Sequence, residues 1–304
     1  MLVAPQIITN RAAKVVHSAF DRIGSKLLPY RYLRPFSYWD NYYGLNPDIT
    51  QEYFQLLDYA TIQRFENKGY IARRVAELGI KNVFPKSYFS VADVFAEQPG
   101  PDAIWFVKPT HLTGGKGITC HTTDSLKDLE LPKHYFIQQQ VTDIELYEGR
   151  KYTARAYVFI HNKKLYVFDD GFVMIHGLPY DEKSTDFATQ VDHRGYHIAG
   201  SPIKMKKISE LPNADKKLES IQNKLHRLKP VLEEMIGKSS DVHYGLLGID
   251  LLFTRTHDAL FIELNSKSNF IHTELINDSL NSPFFSSFLT TLYTREVDAR
   301  LTQI

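Results

Sequence analysis

A single cysteine, Cys120, stands among 304 residues, which excludes an intrachain disulfide and any multi-cysteine metal site. A reducing compartment is the expectation. No apolar run approaches the roughly 20 residues that cross a bilayer, and no apolar stretch at the start has the form of a signal-peptide core. The chain therefore reads as soluble and cytoplasmic, with no membrane partner. Charge of one sign is lacking too: 36 Lys and Arg face 35 Asp and Glu, a net charge of +1. That balance removes any whole-chain case for nucleic-acid binding, leaving only local patches. With 43% hydrophobic and 23% charged residues, general disorder is excluded. The length suggests roughly two domains with material for a buried core.

The local patch is at the beginning. Residues 1–38 carry Arg11, Lys14, Arg22, Lys26, Arg31 and Arg34 against one acid, Asp21. This segment is either the solvated face of an ordinary N-terminal element or a groove for an acidic partner. Residues 37–48, SYWDNYYGLNPD, are dense in aromatics and turn formers and read as an ordered loop. Between Gln51 and Leu78 the apolar spacing is helical, with Gly79 as a C-cap. The extended segment VFPKSYF leads into a second unit near residue 90.

Strand-like alternation over residues 103–109 places Lys108 on the inward face, where an ammonium needs an anionic partner. Gly114, Gly115, Lys116 and Gly117 follow. Glycines let backbone N–H groups turn toward a phosphate, and Lys116 adds charge. The loop matches neither the Walker A pattern nor GxGxxG, and a plain hairpin tip remains the alternative. His134–Val141 is a further strand. In the next, residues 150–160, Lys151, Thr153 and Arg155 share a face by period two, either toward solvent or toward an anion. Residues 164–168 and 171–175 continue a meander, and residues 181–217 read as a long polar connection, a candidate lid. An amphipathic helix follows from Leu218 to Met235, with a kink expected at Pro230. Helical packing material is expected from Thr273 on.

The richest stretch is Leu246–Phe270, two apolar strands around a tight turn. With the turn centred on Thr256 and His257, Arg255 faces Asp258 and Asp250 comes opposite Glu263. Asn265 shares the face of Glu263, while Leu247, Ile249, Leu251, Leu260, Ile262 and Leu264 line the core side. Carboxylates facing each other across strands repel, so this pair either points into solvent or holds a cation. Two carboxylates and an amide oxygen suit Mg²⁺.

Taken in order, Lys108-Pro109, Gly114 to Ile118, Phe136-Ile137-Gln138, Arg150 to Arg155, Gly248-Ile249-Asp250 and Glu263-Leu264-Asn265 resemble the tubulin-tyrosine ligase family of ATP-grasp enzymes. The resemblance covers roughly residues 60–275 and implies an α+β ATP-grasp fold in which two units clasp ATP behind a small N-terminal domain. The divisions it implies are 1–89 (N-terminal domain and linker), 90–141 (central subdomain with the glycine-rich loop) and 142–304 (C-terminal subdomain with the metal site). It implies an ATP-dependent carboxylate–amine ligase working through an acyl phosphate, with ATP and Mg²⁺ as cofactors. The partners are then an amino acid and a carboxylate acceptor, such as an acidic protein or peptide. By position, Lys108, Gly114, Gly115, Lys116, Gly117, Gln138, Lys151 and Thr189 would hold the nucleotide. Asp250, Glu263 and Asn265 would bind Mg²⁺, and Arg155, Lys151 and Glu263 would serve the reaction. Two departures stand out. Thr153 replaces a usual aspartate, and Met174, Ile175 and His176 stand where an arginine usually receives the amino acid's carboxylate. A catalytically reduced ATP-binding scaffold, or a ligase unrelated to tubulin, is the alternative.

Overall fold

A computed structural model describes residues 5–40, 49, 52–191, 195–198 and 200–304. In chain order the elements are β1 (Ile7–Thr9), α1 (Ala13–Leu27), β2 (Phe36–Tyr38), β3 (Gln55–Leu56), α2 (Tyr59–Glu66), α3 (Lys68–Glu77), β4 (Ser87–Tyr88) and α4 (Val91–Ala96). Then come β5 (Ile104–Pro109), β6 (Thr119–Thr122), α5 (Thr123–Lys127), β7 (Tyr135–Gln139), β8 (Tyr152–His161), β9 (Lys164–Ile175), α6 (Phe187–Gln190) and β10 (Lys204–Lys207). The chain ends with α7 (Ala214–Lys238), β11 (His243–Phe253), β12 (Ala259–Asn265), α8 (Glu274–Ile276), α9 (Ser282–Thr294) and β13 (Leu301–Gln303). Of the aromatic loop at 37–48, residues 41–48 lie outside the described ones.

Two sheets organise the chain. The smaller is antiparallel, in the order β4-β7-β5-β6, with Trp105, Val107 and Ile137 packed beneath it on Val94 of α4 and Leu126 of α5. The larger runs β10-β9-β8-β11-β12, with β13 on β9 and β3 alongside β11. Side chains of its central strands alternate between the two faces, so each face has its own core. Ala154, Ala156 and Val158 of β8 and Leu247, Ile249 and Leu251 of β11 face α7. That helix buries Ile221, Leu225, Leu228, Leu232 and Met235 at 1% exposure or less, each worth about 1.5–3 kcal/mol of transfer free energy. It runs through Pro230, whose missing N–H deprives the carbonyl of His226 of its helical donor. On the opposite face Tyr157, Phe159 and Tyr244 join Phe20, Phe284 and Phe288 in an aromatic core under α1 and α9.

The N-terminal cations are distributed by this packing. Helix α1 buries Val15, Val16, Ala19, Phe20, Ile23 and Leu27. Arg22 donates to the Asp278 carbonyl at 3.0 Å, Lys26 meets Asp298 at 3.3 Å, and the Arg34 guanidinium lies 5.4 Å from the Phe54 ring centroid. Residues 181–217, expected as an unbroken connection, contain α6, the edge strand β10 and a short 3-10 turn over Ile208–Glu210. The sequence KMKK of β10 has one apolar residue to alternate with, which is why it left no strand signal.

The β11–β12 hairpin corrects one part of the expected register and retains another. Near the turn Thr254 N donates to Asp258 O at 2.9 Å, so Thr254, not Arg255, faces Asp258. A bulge between Asp250 and Leu251 on the β11 side then absorbs one residue of β12, which brings Asp250 opposite Glu263 as expected. The same bulge changes which side chains reach the core: Ala259 and Phe261 do, while Leu260 and Ile262, expected there, do not. Phe261 N donates to Val83 O at 2.8 Å, a contact from the linker that holds the bulge open.

Candidate active site

Period two along β8 sets Lys151, Thr153 and Arg155 on the face that further along carries Tyr157 and Phe159. One end of that face is sealed by aromatic rings. The other end opens on a cavity lined by Phe106, Lys108 and Gln138 of the small sheet and by Lys151, Thr153, His176, Asp250, Leu252 and Glu263 of the large one.

Across three neighbouring strands Arg155, Asp250 and Glu263 stand in one row, because Asp250 pairs with Arg155 on β8 and with Glu263 on β12. The Arg155 guanidinium grips Asp250 at both oxygens, Nε to Oδ1 at 2.6 Å and Nη2 to Oδ2 at 2.9 Å. This bidentate geometry is the strong form of the ion pair. Burial opposes the charge on Arg155, and the Asp250 carboxylate outweighs it, raising the guanidinium's pKa further. Asn265 Nδ2 donates to Asp250 Oδ2 at 3.1 Å. Ser268 Oγ accepts from Arg155 Nη1 at 3.3 Å, and a Cβ on Gly248 would collide with that hydroxyl. Gly248→Ala should therefore cost about 1–3 kcal/mol through overpacking and displace Ser268, as urea unfolding and a structure of the variant would show. A variant as stable as the parent would refute the crowding.

Glu263 has a partner that the sequence did not disclose. Lys68, the first residue of α3, reaches its Oε1 at 3.2 Å with the side chain 9% exposed. The same ammonium donates to Leu112 O at 2.6 Å, and Lys68 N donates to Thr110 O at 3.0 Å. Close approach is possible because Gly69 follows, where a Cβ would strike Thr110. Burial raises the Glu263 pKa, Lys68 opposes this, and the neighbouring Asp250 charge adds to it.

Two lysines complete the cavity. Lys108 Nζ donates to Gln138 Oε1 at 2.5 Å, and burial pushes its pKa down to about 8, with Glu263 partly opposing. Lys151, 6% exposed, donates to Gln190 O at 2.8 Å; burial and then the charge of Lys108 push it down to about 7. Burial thus opposes the charge of both ammonium groups. Gly114, Gly115 and Gly117 adopt φ of 64°, 72° and 74°, the left-handed region glycine favours, and Gly115 touches the cavity. Lys116 is exposed and lies away from the lining, and Thr189 bonds Asp186 as part of the α6 cap, leaving Gln190 to face Lys151. Thr153 Oγ1 lies 3.4 Å from His176 Nε2, both side chains buried.

Among the described residues no group of three or more His, Cys, Asp or Glu is gathered as metal ligands. The donor set on offer is two carboxylates and an amide oxygen, an all-oxygen set that fits Mg²⁺ with its remaining positions left to water and phosphate.

The model of the tubulin-tyrosine ligase family matches residues 66–242. The chain belongs to that family. The match takes in Lys68, Lys108, Lys151 and Arg155 and ends before Asp250, so the carboxylates rest on the hairpin geometry. Tubulin glycylase 3D of Tetrahymena thermophila is 27% identical over 119 residues, covering 36% of this chain and 11% of that protein. This family member thus matches only a small part of the glycylase's length. The crystal structure of the C-terminal domain of K. lactis Pby1, described as an ATP-grasp enzyme interacting with the mRNA decapping enzyme Dcp2, superposes with a TM-score of 0.65 at 16% identity. It covers 99% of this chain and 98% of that one. The fold is ATP-grasp, mixed α+β, as the resemblance implied. No helix among the described residues is long and apolar enough to cross a membrane.

Proposed function

We propose that this member of the tubulin-tyrosine ligase family is an ATP-dependent carboxylate–amine ligase that joins an amino acid to a protein or peptide carboxylate through an acyl phosphate. The observation that carries the reading is the convergence of Lys108, Lys151, Asp250 and Glu263 on one cavity beside a glycine-rich loop, with Arg155 gripping Asp250 from behind the lining. Cations in a water-poor site offset a triphosphate's charge far better than they do in water. In this reading Lys108 and Lys151 hold phosphate oxygens, and the Gly114–Gly117 loop covers them. Asp250, Glu263 and Asn265 would hold Mg²⁺, which when bound supplies charge neutralisation at the phosphates. Arg155 stands beside the carboxylates to bind the oxygens of the activated acceptor. Lys68, tied to both Glu263 and Leu112, couples the carboxylate to the approach of the glycine loop. Thr153 and His176 make the neighbouring wall, Thr153 standing where the family usually carries an acid.

ADP release measured against a panel of amino acids and carboxylate acceptors tests the reading. Turnover that requires both co-substrates supports it. ATP binding with no turnover in any combination would favour the second reading, a catalytically reduced scaffold, to which the Thr153–His176 wall points.

The lysines also set a pH dependence. A triphosphate beside Lys151 raises a pKa that burial holds at about 7, so binding takes up a proton. ATP affinity should then fall as pH rises from 7 to 9, by up to about tenfold per unit for one proton, with Lys108 contributing above about 8. Below pH 7 both lysines are already charged and the dependence flattens. Calorimetry at pH 8 in buffers of different ionisation enthalpy should report the uptake, and Lys151→Met should diminish it. Uptake unchanged in that variant would remove Lys151 from the phosphates.

A further inference from the structure

The bend that follows Asn265 is gripped from the N-terminal part of the chain. Ser266 Oγ lies 2.7 Å from Ile62 O and 3.0 Å from Glu66 Oε1, its one proton shared between them, and Lys267 N donates to the same Glu66 oxygen. Arg11 Nη2 donates to Lys267 O at 2.7 Å and to Ser268 O at 3.3 Å, while its Nη1 is held by Asp40 at 3.2 Å. Lys267 Nζ sits 4.7 Å from the Tyr59 ring centroid. Ser266 and Ser268 are 6% and 2% exposed. These contacts hold the bend from both sides, and its last residue, Ser268, carries the hydroxyl that meets Arg155 Nη1.

We infer that Glu66 and Arg11 are positioning residues for the active-site arginine. Neither lines the cavity. Asp250 fixes two nitrogens of the Arg155 guanidinium, which leaves the group free to tilt about that pair of bonds. Ser268 Oγ removes the tilt by holding the third nitrogen. The hydroxyl can do so only while the bend keeps its place over Gly248, and the bend keeps its place through Glu66 on one side and Arg11 on the other. Two residues remote from the catalytic strands in sequence, Arg11 and Glu66, thereby set the aim of Arg155 and of Asn265, the residue just before the bend. Misplacement of a catalytic group by about 1 Å can cost about 10²-fold in rate.

The kinetic arm of the test rests on the ligase reading; the spectroscopic arm does not. Glu66→Leu removes the acceptor, and Glu66→Gln keeps an oxygen in the same place. The expected result for Glu66→Leu is a kcat about 10- to 100-fold lower with the ATP KM within about twofold, the mark of an interaction lost in the transition state. Glu66→Gln should recover most of that loss. In protein without nucleotide, the Arg155 Nε–H NMR signal should shift and the Lys267 amide should exchange faster in Glu66→Leu, and Arg11→Met should move the same Arg155 signal. If the parent protein turns over no substrate pair, the ligase reading fails and the NMR arm still decides the positioning role. An Arg155 signal unmoved in both Glu66→Leu and Arg11→Met overturns the inference. So does a kcat loss that Glu66→Gln does not recover, since that pattern belongs to general destabilisation.

Discussion

Glu263→Gln should abolish Mg²⁺-dependent ATP turnover while leaving the fold intact. The amide keeps the shape of the carboxylate and one of its oxygens, so the volume filled at this position is unchanged. What disappears is the negative charge beside Asp250. A dication in an enclosed site contributes several kcal/mol of charge stabilisation to a transferring phosphoryl group, and about 4 kcal/mol corresponds to roughly 10³-fold in rate. Stability should move little, because two effects oppose. The pKa of Glu263 is raised by burial and by Asp250, so its ionised form works against folding at neutral pH, and a neutral amide relieves that strain. The ion pair to Lys68 at 3.2 Å is lost in exchange. Steady-state ADP release and thermal unfolding on the same preparation separate the two. Turnover within tenfold of the parent would sink the metal assignment, and collapse of the fold would show that Glu263 is structural.

The hairpin shows where sequence reading works and where it stops. Period two and a short turn were enough to bring Asp250 opposite Glu263, yet two local errors cancelled on the way. The turn is one residue longer than expected, and the bulge on β12 restores the count. Nothing between Ala259 and Asn265 announces that bulge, since it is held by Val83 from the linker, a partner some 180 residues away in the chain. Its side effect, turning Ile262 toward the cavities in place of the core, was unreadable for the same reason.

Lys68 was missed because it enters from α3, outside the strands that carry the other groups. A signal did exist. Lys68 is the first residue of a helix capped by Asn67, and a cation there opposes the helix dipole, which implies an anion nearby. Lys116 and Thr189 illustrate the reverse. Their residue types suit a phosphate site, but one projects to solvent from the glycine loop and the other is consumed by capping α6. The glycine-rich motif placed Lys116 near the site, and the family resemblance placed Thr189 there. Only tertiary contacts decide which side chain of each motif faces inward, and they select Gly115 and Gln190.

Removing Asp250 should hurt the fold more than removing Glu263. Asp250→Ala leaves the Arg155 guanidinium, 12% exposed, with Ser268 Oγ as its remaining neutral side-chain partner. Breaking a buried pair by deleting one member costs about 3–5 kcal/mol, because the surviving charge is stranded away from water. Replacing both charges by apolar groups of similar volume avoids that penalty. The double variant Arg155→Met with Asp250→Leu should accordingly be markedly more stable than Asp250→Ala, although inactive. Urea unfolding of the parent, Arg155→Met, Asp250→Leu and the double variant forms the cycle that isolates the pair. If Asp250→Ala costs less than about 1 kcal/mol, the pair behaves as an exposed one, and the dry, preorganised row proposed for the active site does not exist. If the cost is large and the double variant recovers it, the guanidinium is what keeps a functional carboxylate aimed between its two neighbouring strands.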